Sequence, residues 1–274
     1  MKNIRDSEDF FLTIAATDPT GEAGVVKDCK IADHFGYNSL LVITAITVQN
    51  DSKVKDIYPV TDDVLREQLE ICSEYPVNCI KIGALGNSRQ ARIIADSLAL
   101  FPEAVIVWDP VFSPTEGKPF VGTNEIGQVC SIFLPVVDVI TPNFDELKLI
   151  LANRRYELHE SSAVQMVDDT SSYSFSTDSK TWQAVQKICQ KVNSTFYITG
   201  GHSRSDDNTI REFLIDRYRI RPFEYRKISF RYRHGTGCSF STALACLLKI
   251  SSTIDDACRM SVRFVTDIYN QNIK

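Results

Sequence analysis

The densest chemistry in the chain lies in His-Gly-Thr-Gly-Cys-Ser, His234 to Ser239. An apolar run through Ala243, Leu244, Leu247 and Leu248 follows it and reads as a helix. Two glycines at a helix start leave backbone N–H groups without partners, and the helix dipole adds positive potential there. Gly235, Thr236 and Gly237 therefore suit a nucleotide phosphate. Cys238 falls in the first helical turn, where the same field lowers a thiol's pKa and favours the thiolate. A thiolate at that place can accept the proton of an attacking hydroxyl. The blander reading is a glycine-containing helix start with a small buried cysteine, and the motif taken alone favours it.

The elements that must position this segment are legible from periodicity. The pattern predicts strands near Phe11–Ala16, Ser39–Ala45, Asn78–Ile82, Ala104–Trp108, Val136–Ile140, Thr195–Thr199 and Ile210–Ile215. Several are continuous aliphatic runs, as parallel strands buried on both faces require. Between them Thr61–Glu74, Ser88–Leu100 and Thr181–Lys191 carry apolar residues at helical spacing, and two long helices near Gly237–Lys249 and Ile254–Asn270 close the chain. The alternation predicts an α/β fold, a three-layer αβα sandwich with a mostly parallel central sheet. We expect one domain over 1–274, with a surface insertion at about 161–180, where Ser, Thr and Asp dominate and periodicity fades.

In such a sheet, ligands bind beyond the carboxyl ends of the strands. Those ends carry Thr17 to Gly24 with Asp18, then Gln49 and Asn50, Gly83, Asp109-Pro110, Thr141-Pro142-Asn143 and Gly200-Gly201-His202. Each is an ordinary turn residue by itself; their collection at one edge is what suggests a site.

Composition narrows the class. Of 274 residues, 43% are hydrophobic and 24% charged, which permits a packed core. The net charge of −5 and the lack of a basic block argue against nucleic acid or a membrane surface as partner. The N-terminus carries acids where a signal peptide needs an apolar core, so a cytoplasmic protein is expected. Eight cysteines without a CxxC pair suit reduced thiols better than a disulfide framework or a zinc site.

Taken in order, Leu12 to Asp28, Val42 to Asn50, Lys81 to Gly86, Val107 to Val111, Ile140 to Leu147, Thr199 to His202 and His234 to Ala245 resemble the ribokinase-like superfamily. Within it the chain is most similar to the hydroxymethylpyrimidine/phosphomethylpyrimidine kinases of thiamin biosynthesis. The resemblance implies transfer of the γ-phosphate of ATP, with Mg²⁺, to a small pyrimidine alcohol or its monophosphate. It implies Cys238 as catalytic base and Gly235, Thr236 and Gly237 as an anion hole. It places Asp18, Gln49, Ala84 and Val111 at the substrate, with Gln49 bonded to the aminopyrimidine. It places Asn143, Thr199, Gly201 and His202 at the nucleotide, and Asp109 and Glu146 at the metal. It also implies a homodimer.

The pattern is broken at several positions. Family lysines are replaced by Thr115, Thr199 and Val262, a methionine by Ala84, and a first-loop glycine by Glu22. Each well-placed cation at a transferring phosphate contributes roughly 10²–10³ in rate. Candidate replacements are Arg217, Arg219 and Arg221, whose alternation predicts one face of a strand, with Arg231, Arg233, Lys118 and Arg263. Two other functions stand beside the first: a pyridoxal or pyridoxine kinase, suggested by the room at Ala84, and a weakly catalytic binding protein, suggested by the lost lysines.

Overall fold

The computed structural model describes residues 9–50, 52–114, 116–153, 180–200, 209–226 and 235–270. Gly201, His202, Thr115, Arg231, Arg233, His234 and the expected insertion, apart from Lys180, lie outside the described residues.

The chain opens with β1 (Phe10–Ala15), α1 (Gly24–His34) and β2 (Asn38–Ile43). A two-stranded arm follows, β3 (Ala45–Gln49) and β4 (Val54–Pro59), then α2 (Asp62–Cys72), β5 (Val77–Ile82) and α3 (Arg89–Ser97) with one further 3₁₀ turn, Leu98–Leu100. Next come β6 (Val105–Trp108), α4 (Ile126–Phe133), β7 (Val139–Ile140), α5 (Phe144–Ala152), α6 (Lys180–Val192) and β8 (Thr195–Ile198). The antiparallel pair β9 (Thr209–Ile215) and β10 (Ile220–Arg226) precedes α7 (Thr236–Ile250) and α8 (Ile254–Asn270). The main sheet has eight strands in the order β10-β9-β8-β7-β6-β5-β1-β2. From β2 to β8 neighbours run parallel, and β9 and β10 add an antiparallel margin.

Side-chain alternation divides the core into two layers, because successive strand residues face opposite sides of the sheet. Leu12, Ile80, Ile106, Ile140 and Phe196 pack against α2 through α6. Their neighbours Phe11, Cys79, Val107, Val139 and Tyr197 pack against α1, α7 and α8. α7 is buried without a break from Ser239 to Leu247, so it needs no polar face; truncating Leu244 to Ala would cost about 2–5 kcal/mol. The expected three-layer sandwich is what forms.

Three local expectations are corrected. The strand expected over Ser39–Ala45 splits at Thr44, which bonds the backbone of Ala15 and Val60 and takes the Gln90 side-chain amide, and so turns the chain out of the main sheet. The strand expected over Val136–Ile140 shrinks to Val139–Ile140, since Leu134 to Val136 form a turn closed by bonds from Val136 and Val137 N–H to Phe133 O. Arg217 and Arg219 sit in the β9–β10 turn and only Arg221 lies in β10, so the three do not share a strand face.

Candidate active site

The parallel sheet reverses its winding between β1 and β5: the chain passes from β1 to β2 on one side and returns to β5 on the other. A crevice opens at the carboxyl ends of strands at such a point. A cavity of about 370 Å³ lies there. Asp18, Gln49, Ala84, Asp109, Val111, Asn143, Glu146, Thr199, Gly235, Thr236, Gly237 and Cys238 all line it, so every expected site residue within the described part of the chain meets in one place.

Two helix starts converge on Cys238. Gly235 is the N-cap of α7 with φ of +79°, a left-handed conformation that disfavours a side chain. A Cβ there would lie 1.9 Å from the Glu22 carbonyl oxygen, so the first loop packs directly on the cap. Glu22, which stands where the related kinases have glycine, is accommodated because only its backbone touches Gly235; its carboxylate lies 3.5 Å from Lys27 Nζ. The start of α1 is turned to the same point, and the Gly24 N–H donates to the Cys238 sulfur.

This arrangement favours the thiol over the thiolate. Burial pushes it up to about 12; the Lys81 ammonium and the Gly24 amide oppose that, while Asp109 and Asp28 reinforce it. The helix dipole, expected to win, is outweighed by burial beside two carboxylates. The thiol donates to Asp109, which orients it.

Lys81 is the residue that sequence reading missed. It is wholly buried in β5 and lines the cavity. Its Nζ lies 3.2 and 3.0 Å from the two Asp28 oxygens and 3.8 Å from Asp109 Oδ2. Burial works against its charge, but Asp28 and then Cys238 and Asp109 raise its pKa overall. Asp28 also accepts from Thr13 Oγ1 at 2.6 Å and Thr242 Oγ1 at 2.8 Å. The available signal was a lysine inside an apolar strand run, which demands a buried carboxylate partner.

Asn143 and Glu146 form a capping box at the start of α5. Asn143 Oδ1 accepts from Asp145 and Glu146 N–H, both at 2.9 Å, and Glu146 Oε2 accepts from Asn143 N–H at 2.8 Å. The N-x-x-E spacing thus fixes a carboxylate at the cavity while capping a helix. Burial, then the charge of Asp109, pushes Glu146 up to about 8, and burial raises Asp109 as well. Both carboxylates line the cavity, and such a pair suits a hard cation with oxygen ligands, which needs only one or two protein carboxylates plus phosphate oxygens. The pair therefore fits Mg²⁺.

Of the arginines and lysine considered as replacements for the missing cations, those within the described residues are engaged elsewhere. Arg221 pairs with Asp216 and Asp255, and Arg217 bonds Asn193. Lys118 lies 3.4 Å from Asp56, and Arg263 lies 3.8 Å from Asp267. None of these described residues lines the cavity, whereas Val262 does, presenting an apolar wall.

A family model described as Phosphomethylpyrimidine kinase matches residues 18–274. A hydroxymethylpyrimidine/phosphomethylpyrimidine kinase of Haemophilus influenzae is 30% identical over 269 residues, 97% of this chain and 91% of its own. One of Aquifex aeolicus is 28% identical over 264 residues, 96% of this chain and 95% of its own. Among solved structures, a pyridoxal kinase of Staphylococcus aureus in complex with AMP-PCP matches with a TM-score of 0.76 at 20% identity, covering 95% of this chain and 88% of that one; this is a likeness of fold alone. Because the family model spans nearly the whole sequence, the chain belongs to the phosphomethylpyrimidine kinase family.

Proposed function

We propose that the protein transfers the γ-phosphate of ATP to the hydroxymethyl group of hydroxymethylpyrimidine, and to its monophosphate, in thiamin biosynthesis. The observation that carries this reading is the meeting of Gln49, Asp109, Glu146 and the Gly235–Cys238 helix start around one cavity, in a chain of this family. Gln49 offers both a donor and an acceptor to the aminopyrimidine edge, with Asp18, Ala84 and Val111 beside it. Thr199 and Asn143, joined by a backbone bridge between β8 and the start of α5, would serve the nucleotide, a role that the family resemblance extends to Gly201 and His202. The amides of Thr236, Gly237 and Cys238 face the migrating phosphoryl group and hold its charge without reorganising.

Asp109 and Glu146 would hold magnesium, which supplies charge neutralisation on the phosphate oxygens. Asp109 has a second task through its bond from the Cys238 thiol. Cys238 accepts the substrate proton only as a thiolate, so the charge balance around Lys81, Asp28 and Asp109 sets how readily it works. The same reading takes 1–274 as one kinase domain in the cytoplasm. Among the described residues no helix is long and apolar enough to cross a membrane. It also takes the active form as a homodimer, for which the exposed outer face of the arm, Ile46, Val48 and Tyr58, is the available apolar surface.

Phosphate transfer from Mg-ATP to hydroxymethylpyrimidine by purified protein, with pyridoxal in parallel, tests the proposal. Turnover on the pyrimidine should fall roughly 10²–10⁴-fold in Cys238→Ala, the usual worth of a positioned acid or base. Binding of the pyrimidine without turnover would instead make the missing lysines decisive and leave a binding protein on a kinase fold.

A further inference from the structure

The cavity holds more carboxylate than cation. Asp18, Asp109, Glu116, Glu146 and Glu212 line it, and a phosphorylated acceptor would add a dianion beside a nucleotide triphosphate. Among the described lining residues the basic ones are Lys53, Lys81 and Arg226. Lys81 is committed to Asp28. Arg226 ends β10, paired with Thr209 of β9, at the margin of the sheet opposite to β2, from which the arm leaves.

Lys53 stands at the tip of the β3–β4 arm, exposed at the cavity. The tip is fixed by its own backbone. Asn50 N–H donates to Lys53 O at 3.2 Å, and Asn50 Oδ1 accepts from Ser52 N–H at 3.0 Å and Lys53 N–H at 3.1 Å. The arm's ladder slips between Val48 and Gln49, so that Gln49 pairs with Val54 and Lys53 follows directly across the tip. Such an irregularity re-aims side chains beside a site. Among the described residues the Lys53 ammonium has no carboxylate at ion-pair distance.

We infer that Lys53 is the specificity-determining residue for a phosphorylated acceptor: its ammonium meets the phosphate of the pyrimidine monophosphate while Gln49, on the same arm, holds the ring. This rests on the kinase reading.

The test compares kcat/KM for hydroxymethylpyrimidine and for its monophosphate in wild type, Lys53→Met and Lys53→Arg, with thermal melting to confirm folding. In Lys53→Met the ratio of monophosphate to alcohol kcat/KM should fall about ten- to a hundredfold, the worth of a hydrogen bond to a charged group, with KM carrying the loss. Lys53→Arg should restore most of it. A ratio within twofold of wild type in Lys53→Met overturns the inference, as does a wild type that phosphorylates the alcohol and never the monophosphate. A wild type that phosphorylates neither compound fails the kinase reading itself and the inference with it.

Discussion

At the scale of single residues, burial decides the chemistry. Cys238 was legible as a candidate base from its place after Gly-Thr-Gly, but its ionisation was not, because the two carboxylates that oppose it come from β6 and α1. The charge of Lys81 survives complete burial because Asp28, and then Cys238 and Asp109, favour it. Glu212 shows the same competition on the nucleotide side. It lines the cavity, accepts from the Tyr197 hydroxyl and from Gly200 N–H at 3.2 Å, and is raised by burial above the ordinary value of 4.5 despite both donors. A carboxyl with a raised folded-state pKa holds its proton in the folded state after the unfolded chain has lost it, so stability falls as pH rises above about 4.5. Melting temperature in wild type should therefore decline from acid toward neutral pH more steeply than in Glu212→Gln, where nothing titrates. Parallel curves would show that folding does not raise the Glu212 carboxyl.

At the scale of elements, the site is made by where helices begin. The start of α7 was readable, since two glycines before a long apolar run give both a cap and exposed amides. Its contact with the first loop was not, since Glu22 and Gly235 are far apart in sequence. The two glycines are predicted to differ. Gly235 combines a positive φ with a backbone oxygen at 1.9 Å from any Cβ, while a Cβ on Gly237 meets nothing within 4 Å. Gly235→Ala should lose about 1–3 kcal/mol of stability through strain and most of its turnover, with the first loop displaced. Gly237→Ala should fold like wild type, with any effect confined to kinetics. Denaturant melts with steady-state assays read both, and equal stability of the two variants would contradict the cap geometry. The arm is a second element that the sequence concealed. Its strands looked like a continuation of β2, and only the hydrogen bonds of Thr44 show where the chain leaves the main sheet.

Across the whole molecule, both ends of the described chain build one core. α7 packs against α1, β5 and β6, Tyr37 donates to the Cys246 carbonyl at 3.1 Å, and Thr242 donates to Asp28. A fold closed in this way should unfold in one step, so circular dichroism and tryptophan fluorescence melts should coincide. Two separated transitions would divide the chain and end the single-domain reading.

The sequence by itself determined the sandwich, the glycine-bearing helix start and the set of residues at the sheet's carboxyl edge, because strand alternation, helical spacing and glycine placement are local signals. It could not decide which charges are spent. Arg217, Arg219, Arg221, Lys118 and Arg263, the cations that the sequence offered, do not line the cavity, whereas Lys53 and Lys81, which it did not single out, do. Ion pairing and burial depend on distances between residues remote in sequence, and those exist only once the sheet has formed.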